Sequence, residues 1–316
     1  MGMDGLLHTS TVTALVAAAL APSTVRNYQA VWAELRQFLR RPPHAELFPV
    51  SVTELAGFLG SRYDKGAAAA TLASLASAVS YGHKIRALPD PTSDFRIRQL
   101  LAGARRLRPS KDKRVAITLA ELGKMCSSLQ HANLSPLERS AFRAIFSLAF
   151  FALLRPGEVV QNGRQEHYIR LGGVRVENEQ LFVTIPTSKT SSTPVTIELE
   201  ARPDLPECPV AAIRSDLELR GSGHAQDALF IGDSRRPISG RQLNHALRQA
   251  ASCTGHDVSR LSGHCLRIGG ASHGAAIGMT EVQIGEAGRW SSQALRRYLR
   301  HPVSILQATP KRTSTH

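Results

Sequence analysis

The sequence predicts a mainly α-helical protein with one small antiparallel β-sheet, in which a helical N-terminal domain precedes an α+β C-terminal domain. Three observations lead to this prediction. Apolar residues recur at three- and four-residue steps throughout residues 11–107, which is the spacing of amphipathic helices. Alternating apolar and polar residues, typical of strands, occur between residues 173 and 199, with helical spacing on both sides. A short basic segment with neither pattern separates the two parts.

The N-terminal domain, residues 1–107, is predicted to consist of helices alone. Pro22 stands where one helix begins, and Pro42 and Pro43 stand just beyond its end, because a helix tolerates proline only in its first turn. An Ala- and Leu-rich stretch predicts a tightly packed central helix. The predicted helices span residues 11–20, 22–39, 51–66, 67–87 and 93–107.

A basic segment follows this domain. Residues 108–114 read Arg-Pro-Ser-Lys-Asp-Lys-Arg and show no apolar periodicity. Such a composition predicts a linker, so we place the domain boundary there. The same residues would also suit a nuclear localisation signal, a segment that follows DNA phosphates, or a plain solvated linker.

The C-terminal domain, residues 115–316, is predicted to combine helices with three strands. The strands span residues 173–176, 180–186 and 195–199, and the polar turn 177–179 joins the first two. Several of the helices open with Ser or Thr in a capping position. The predicted helices span residues 118–127, 137–154, 209–219, 239–253, 264–278, 282–287 and 293–299.

The chain is strongly basic. Its 316 residues include 39 Lys and Arg against 25 Asp and Glu, which gives a formal net charge of +14. The excess is shared, +6 over residues 1–110 and +8 over residues 111–316. Both domains are therefore expected to contact one polyanion, for which nucleic acid is the first candidate. The alternative is a soluble protein that is merely basic.

Several protein classes do not fit the sequence. The longest strongly apolar stretch, residues 144–154, is shorter than the roughly 20 residues that span a bilayer, so no membrane partner is expected. The first ten residues carry no Lys or Arg, unlike a secretory signal, and the 4 Cys form no Cys-x-x-Cys pair. We therefore expect a nuclear or cytoplasmic protein with free thiols.

Groups suited to phosphate chemistry lie near the C-terminus. His264 and Arg267 are three residues apart at the start of an apolar helix, so both can face one ligand near its positively polarised end. Tyr298 lies among arginines, and no acidic residue follows Gly288. This positive charge favours phosphate binding and an easily ionised phenol. The sequence offers no cluster of carboxylates for a divalent metal, so we expect no cofactor.

These groups belong to a longer series in the C-terminal domain. Its first part, Phe151-Ala-Leu-Leu-Arg-Pro-Gly-Glu158, contains Arg155, and its second, Ser188-Lys-Thr190, contains Lys189. His264-Cys-Leu-Arg267, Trp290 and Tyr298 follow in order. The series resembles the motif of the tyrosine recombinase, or phage integrase, family: Arg, Lys in a β-turn, His-x-x-Arg, His or Trp, then Tyr. The sequence around Trp290 and Tyr298 is most similar to that of the recombinases of DIRS-type retrotransposons and other eukaryotic elements.

The resemblance implies a site-specific recombinase or integrase that cleaves and rejoins DNA strands for the integration or excision of a mobile element. Tyr298 would attack a DNA phosphate and form a 3′-phosphotyrosine. Arg155 and Arg267 would neutralise the two non-bridging oxygens as charge grows in the transition state. The phosphotyrosine conserves the bond energy, so neither ATP nor a metal is implied.

The remaining matched residues would assist this step. Lys189 would protonate the departing 5′-hydroxyl, and His264 would assist proton transfer. Trp290 would donate its indole N–H or pack against the phosphate site, and Glu158 would orient the cluster. Taken singly, each residue also has an ordinary interpretation: Arg155 as a cation at a helix C-terminus, Lys189 as a solvated turn residue, Trp290 and Tyr298 as core aromatics.

The resemblance also implies partners. The helical N-terminal domain corresponds to a core-binding domain that clamps double-stranded DNA together with the catalytic domain, residues 115–316. The working unit is a homotetramer, two dimers at two sites, assembled through the tail that follows Tyr298. Further candidates for DNA contact lie on predicted exposed helix faces, although solvated faces look the same: Arg96, Arg98, Arg241 and Arg248.

Two features depart from the family pattern, and two other functions stay open. Pro156 follows Arg155 and is expected to bend the chain there. The interval from Trp290 to Tyr298 is one residue shorter than in most bacterial and phage members. The alternatives are a type IB topoisomerase-like enzyme that relaxes DNA as a monomer, which the compact helical N-terminal domain disfavours, and an inactive, domesticated DNA-binding protein, which the intact set of residues disfavours.

Overall fold

The computed structural model describes residues 10–109, 114–161, 167–186 and 193–290. The chain divides into two compact units, Met1–Asp112 and Lys113–His316, and each is described by itself. Both units are largely helical, and the second contains a small antiparallel sheet, which confirms the predicted fold class. None of the helices in the described parts is long and apolar enough to cross a membrane.

The first unit is a helical assembly around its fourth helix. α4 packs against α2, α3 and α5, and its side chains Leu72, Ala78 and Val79 have no exposed surface. The alanines of α4 allow this close packing, as its Ala- and Leu-rich sequence predicts. The helices are α1 Ser10–Ala18, α2 Pro22–Phe38, α3 Val52–Asp64, α4 Ala69–Lys84 and α5 Phe95–Leu107.

Local sequence signals set the helix ends in this unit. The Ser51 hydroxyl accepts the backbone N–H of Glu54, and the Glu54 carboxylate accepts the backbone N–H of Ser51, so a capping box begins α3. At the end of α4 the buried His83 ring accepts the Val50 N–H at 3.1 Å and donates to the Pro89 carbonyl at 2.6 Å. These two bonds hold the segment before α3 and the segment after α4 against the core.

The second unit surrounds a long central helix with a sheet and further helices. α7 packs against α9 on one side and α11 on another. The elements are α6 Leu119–Ser128, α7 Pro136–Phe151, α8 Pro156–Val159, β1 Val174–Glu177, β2 Gln180–Ile185, β3 Val195–Glu200, α9 Pro209–Arg220, α10 Gly240–Ala250, α11 His264–Ala276 and α12 Glu281–Gly288. The three strands lie side by side in chain order.

The sheet follows the predicted alternation. Leu181, Val183 and Ile185 on β2 are buried, while the residues between them are partly exposed. β1 and β2 are antiparallel with Glu177 opposite Gln180, so the turn between them has only two residues, Asn178 and Glu179. Both adopt positive φ angles, 47° and 64°, which is the conformation of a tight hairpin turn.

Two glycines bring α11 against the centre of this unit. A Cβ atom on Gly269 would lie 2.0 Å from the carbonyl oxygen of Ile117, and one on Gly270 would lie 2.0 Å from that of Phe150. Only glycine allows this close approach between α11 and neighbouring backbone. The result is that the start of α11 lies next to the end of α7.

The chain turns sharply after α7. The sequence predicts a helix to residue 154, but α7 ends at Phe151, and Leu153 has a φ of 49°. The reason is Pro156, which keeps Arg155 extended, with φ −73° and ψ 145°, and begins the new helix α8. The bend expected at Pro156 is therefore a change from one helix to the next.

Candidate active site

Arg155 stands at the N-cap position of α8. Its backbone N–H donates to Glu158 Oε2 at 2.8 Å, and its guanidinium Nη1 donates to Glu158 Oε1 at 2.7 Å. The Arg155 side chain remains 29% exposed, whereas the Glu158 side chain is 4% exposed. The Glu158 carboxylate thus binds one side of the Arg155 guanidinium, and another part of the side chain is open to solvent. Arg155 is therefore not a cation at the C-terminus of α7.

Glu158 joins Arg155 to a second arginine. Arg289, the residue after α12, donates from Nη2 to Glu158 Oε2 at 3.0 Å. Burial alone would raise the pKa of Glu158, but the charge of Arg289 and the hydrogen bonds from Arg155 outweigh it and lower the pKa below its ordinary value. The carboxylate therefore stays ionised between two guanidinium groups.

Arg267 lies wholly inside the protein. Its Nη1 donates to the carbonyl of Leu153 and its Nη2 to the carbonyl of Gly288. The Trp290 ring covers the guanidinium, with Cζ 4.1 Å from the ring centroid. Trp290 can lie there because position 288 is a glycine: a Cβ atom at Gly288 would be 2.0 Å from the ring. Arg267 therefore donates hydrogen bonds to two backbone carbonyls and is covered by an aromatic ring.

His264 begins α11, and part of its surface is open to solvent while the rest is covered by the protein. Desolvation by the surrounding protein, followed by the charges of Arg114, Arg267 and Arg155, lowers the pKa of His264 below its ordinary value. The imidazole is therefore neutral at pH 7 and can accept a proton. A cleft of about 550 Å³ opens beside it, lined also by Arg241, Ser239 and Asn244.

The predicted DNA contacts lie in different surroundings. Arg241 lines the cleft beside His264, but Arg248 Nε donates to the Leu261 carbonyl at 3.2 Å and so anchors the loop before α11. Arg98 is exposed on α5 of the first unit. Arg96, also exposed on α5, binds both carboxylate oxygens of Asp94 at 3.0 Å.

The structure thus brings together five of the residues singled out in the sequence: Arg155, Glu158, His264, Arg267 and Trp290. Lys189, Tyr298, the predicted helix 293–299 and the C-terminal tail lie outside the described residues. Within the described part of the chain, no group of His, Cys, Asp and Glu side chains is placed to hold a metal ion.

One residue of the cluster had no predicted role. Arg289 lies inside the motif Gly288-Arg-Trp290, but only the tertiary structure shows that it reaches Glu158. The sequence held no signal for this contact. Helix α12 ends in a left-handed residue, where glycine is usual, but that conformation is visible only in the structure.

The arrangement is suited to a phosphate group. Arg155 presents fixed donors to solvent, Arg267 supplies buried positive charge nearby, and a neutral His264 stands at the same edge. Preorganised guanidinium groups stabilise the charge that develops on phosphoryl oxygens. The cluster can therefore bind a phosphate and accept a proton from a nucleophile.

Solved structures share the fold of this chain, although no family model and no curated protein sequence matches it. A lambda integrase dimer bound to a COC′ core site has a TM-score of 0.60 at 18% identity, over 90% of this chain and 91% of that chain. The Tn1549 transposon integrase in complex with transposon right end DNA gives 0.62 at 13%, over 90% and 91%. XerH site-specific recombinase bound to difH substrate gives 0.55 at 15%, over 90% and 77%.

These similarities define the fold class of the chain. All three structures are tyrosine recombinases or integrases, and the match extends over nine tenths of the present sequence. The fold is therefore that of the tyrosine recombinases and integrases.

Proposed function

We propose that the protein is a site-specific DNA recombinase, or integrase, that cleaves and rejoins DNA strands through a 3′-phosphotyrosine. The observation that carries the proposal is that Arg155 lies close to His264 and Arg267, although these two residues follow it by more than a hundred positions along the chain. The same residues form the recombinase motif in the sequence. The fold of DNA-bound recombinases supports the proposal independently.

The chemistry follows from these positions and from the two motif residues known from the sequence alone. Tyr298 Oη attacks the phosphorus, its phenolic proton passes to neutral His264, and the bond from phosphorus to the 5′-oxygen breaks. Lys189 protonates the leaving 5′-oxygen. Arg155 binds a non-bridging oxygen, and buried Arg267 adds the second positive charge. The free 5′-hydroxyl of a partner strand reverses the step.

Double-stranded DNA is the proposed partner, contacted by both basic halves of the chain. A lambda integrase tetramer bound to a Holliday junction, with a TM-score of 0.60 at 17% identity, supports a homotetramer as the working assembly. We further propose that the recombinase serves a mobile element, because the sequence around Trp290 and Tyr298 resembles the recombinases of DIRS-type retrotransposons. It would then act where its DNA is, in the nucleus for a eukaryotic element and in the cytoplasm otherwise.

The test is a covalent trap. The purified protein first selects a duplex from a random-sequence library, and that duplex is then labelled and nicked at successive positions, so that cleavage releases a fragment and leaves the protein attached. We expect an SDS-resistant protein–DNA band with the wild type that disappears in Tyr298→Phe. Tyr63→Phe, in the first unit, is the matched control and should keep the band.

The other outcomes separate the alternatives. Binding without any covalent band would contradict the recombinase and favour an inactive DNA-binding protein. Covalent attachment with relaxation of supercoiled plasmid by a monomer, and no strand exchange between two sites, would favour the topoisomerase-like enzyme.

A further inference from the structure

The turn Gly288-Arg289-Trp290 holds both arginines of the site. The Gly288 carbonyl accepts Nη2 of Arg267, and the Arg289 carbonyl accepts Nη2 of Arg155 at 3.3 Å. The Trp290 ring covers the Arg267 guanidinium. Three successive residues therefore contribute one contact each, and the positions of both guanidinium groups depend on the backbone of this turn.

The backbone of this turn is in an unfavourable conformation. Arg289 has φ 55° and ψ 44°, the left-handed region, which a residue with a Cβ atom adopts at a cost of roughly 1 kcal/mol. Such a conformation persists only where surrounding contacts enforce it. At this position the contacts come from the side chain of the same residue.

The Arg289 side chain connects the turn to the segment that carries Arg155. Its Nη2 donates to Glu158 Oε2 at 3.0 Å and to the Leu153 carbonyl at 3.2 Å. Its Nη1 donates to the Ala287 carbonyl at 3.0 Å and to the Ala152 carbonyl at 3.4 Å. With 17% of its surface exposed, the side chain is largely enclosed. These donors diverge as a planar guanidinium requires, and a lysine ammonium cannot reproduce them.

We propose that Arg289 is a positioning residue for DNA cleavage, which locks the turn so that Arg155 and Arg267 are held in fixed places around the reacting phosphate. The inference rests on the proposed recombinase function. Arg289 acts through Glu158 and through the carbonyls of the turn, so its loss should slow the reaction without weakening the binding of DNA.

The test compares Arg289→Gly with Arg289→Lys. Glycine accepts the left-handed conformation without strain, so the turn can still form and the protein should fold. On the selected, nicked duplex we expect single-turnover adduct formation to slow by up to about 100-fold in Arg289→Gly, since small displacements of catalytic groups have effects of this size. Arg289→Lys should be similarly slow, and the Kd for the duplex should not change in either variant.

Chemical rescue distinguishes positioning from a general structural defect. Guanidinium chloride at low concentration, compared with sodium chloride at equal ionic strength, should restore the rate of Arg289→Gly by occupying the vacated place beside Glu158. The double variant Arg289→Gly with Glu158→Gln lacks the carboxylate and should not be rescued. Arg202→Ala, which removes an exposed arginine paired with Asp204, is the matched control and should show neither loss nor rescue.

The outcomes of these experiments distinguish the positioning role of Arg289 from the proposed recombinase function. A wild-type rate in Arg289→Gly, or a loss that guanidinium does not restore, overturns the inference and leaves the recombinase proposal intact. If the wild type forms no adduct on DNA that it binds, the recombinase proposal fails instead. The NMR signal of the Arg155 guanidinium in the free protein then decides the positioning role: it should shift in Arg289→Gly and return with guanidinium, and an unchanged signal refutes that role.

Discussion

The two units differ in what they bury. Within the described residues, the first unit buries one polar side chain, His83, and the second buries several polar or charged ones: Ser147, Glu158, Glu207, Asp216, Arg220 and Arg267. A buried charge destabilises a fold unless it is paired and hydrogen-bonded. The second unit therefore depends on hydrogen bonds and ion pairs to keep the buried charges of its site in place, whereas the first is held by an apolar core.

The largest expected difference concerns Arg267. Replacing it in Arg267→Met leaves the Gly288 carbonyl without its donor in the interior and the Leu153 carbonyl with Arg289 as its remaining donor, so we expect the free energy of unfolding of the second unit to fall by about 3 kcal/mol. The counterpart in the first unit is Arg86→Met. Arg86 is an exposed residue whose guanidinium lies 4.6 Å from the Phe48 ring and donates to the Gly82 carbonyl, and its loss should cost under about 1 kcal/mol.

Urea unfolding followed by tryptophan emission makes this comparison directly. The sequence has 2 Trp, one in each unit. Trp32→Phe leaves Trp290 to report the second unit, and Trp290→Phe leaves Trp32 to report the first. Equal losses of stability in the two units would remove the contrast.

A smaller effect of opposite sign is expected at Asp216. Burial raises the pKa of Asp216 to about 7, only partly opposed by the charge of Arg220. An acid whose folded pKa is raised stabilises the fold most below its unfolded pKa, near 4, and loses that contribution as the pH rises through 7. Asp216→Asn should therefore stabilise the second unit at pH 8 by roughly 2 kcal/mol, about half of what the pKa shift gives at about 1.4 kcal/mol per unit, because the surrounding protein relaxes around a buried charge.

The pH series supplies the check on this prediction. At pH 4 the wild-type carboxyl is largely protonated, and the advantage of Asp216→Asn should be small. A gain that is the same at pH 4 and pH 8 would mean that the ionisation of Asp216 is not the cause.

His83 is expected to make the stability of the first unit fall as the pH falls, which is opposite to the effect of Asp216 in the second unit. Burial lowers the pKa of His83, and the Pro89 carbonyl and Asp90 oppose this only in part. The neutral ring accepts the Val50 N–H, which a protonated ring cannot do. Stability is therefore present above pH 6.5 and is lost as the pH falls. His83→Gln should lower the stability at pH 7.5 by about 1 kcal/mol and abolish the decline towards pH 5. A decline that persists in this variant would assign it to other groups.

The smallest effect on stability, but a distinct effect on binding, is expected at Arg98. This arginine is exposed on α5, so Arg98→Ala should change the free energy of unfolding of the first unit by less than about 0.5 kcal/mol. If it contacts a DNA phosphate, the slope of log Kd against log salt should fall by about 0.9. Arg202→Ala, an exposed change in the second unit, should leave the slope unaltered. An unchanged slope in Arg98→Ala would remove Arg98 from the DNA surface.

Most elements of the fold could be predicted because their determinants are local. Ser51 with Glu54 and Thr118 with Glu121 begin their helices through bonds between residues three positions apart. The sheet follows from alternation along β2 and from a two-residue turn. The helix predicted to residue 154 was wrong at its end, because apolar residues 152–154 continue the pattern although the chain has already turned towards Pro156.

The candidate site could likewise be predicted from the sequence only in part. The residue types and their order along the chain indicated Arg155, His264, Arg267 and Trp290, and the structure places these together. Their sequence did not indicate that Arg267 would be fully buried, with its donors on Leu153 and Gly288, since the first of these carbonyls is 114 residues away. Arg289 escaped notice for the same reason, because its partner Glu158 is 131 positions distant.

The sequence by itself determined the helices, the hairpin, the positive charge of both halves and the set of residues suited to phosphate chemistry, because periodicity, capping and composition act over a few neighbouring residues. Only the tertiary structure decided which arginine faces solvent, which is enclosed, and which residue holds them both. Those properties depend on close contacts between the ends of α7, α11 and α12, and such contacts arise only when distant segments pack together.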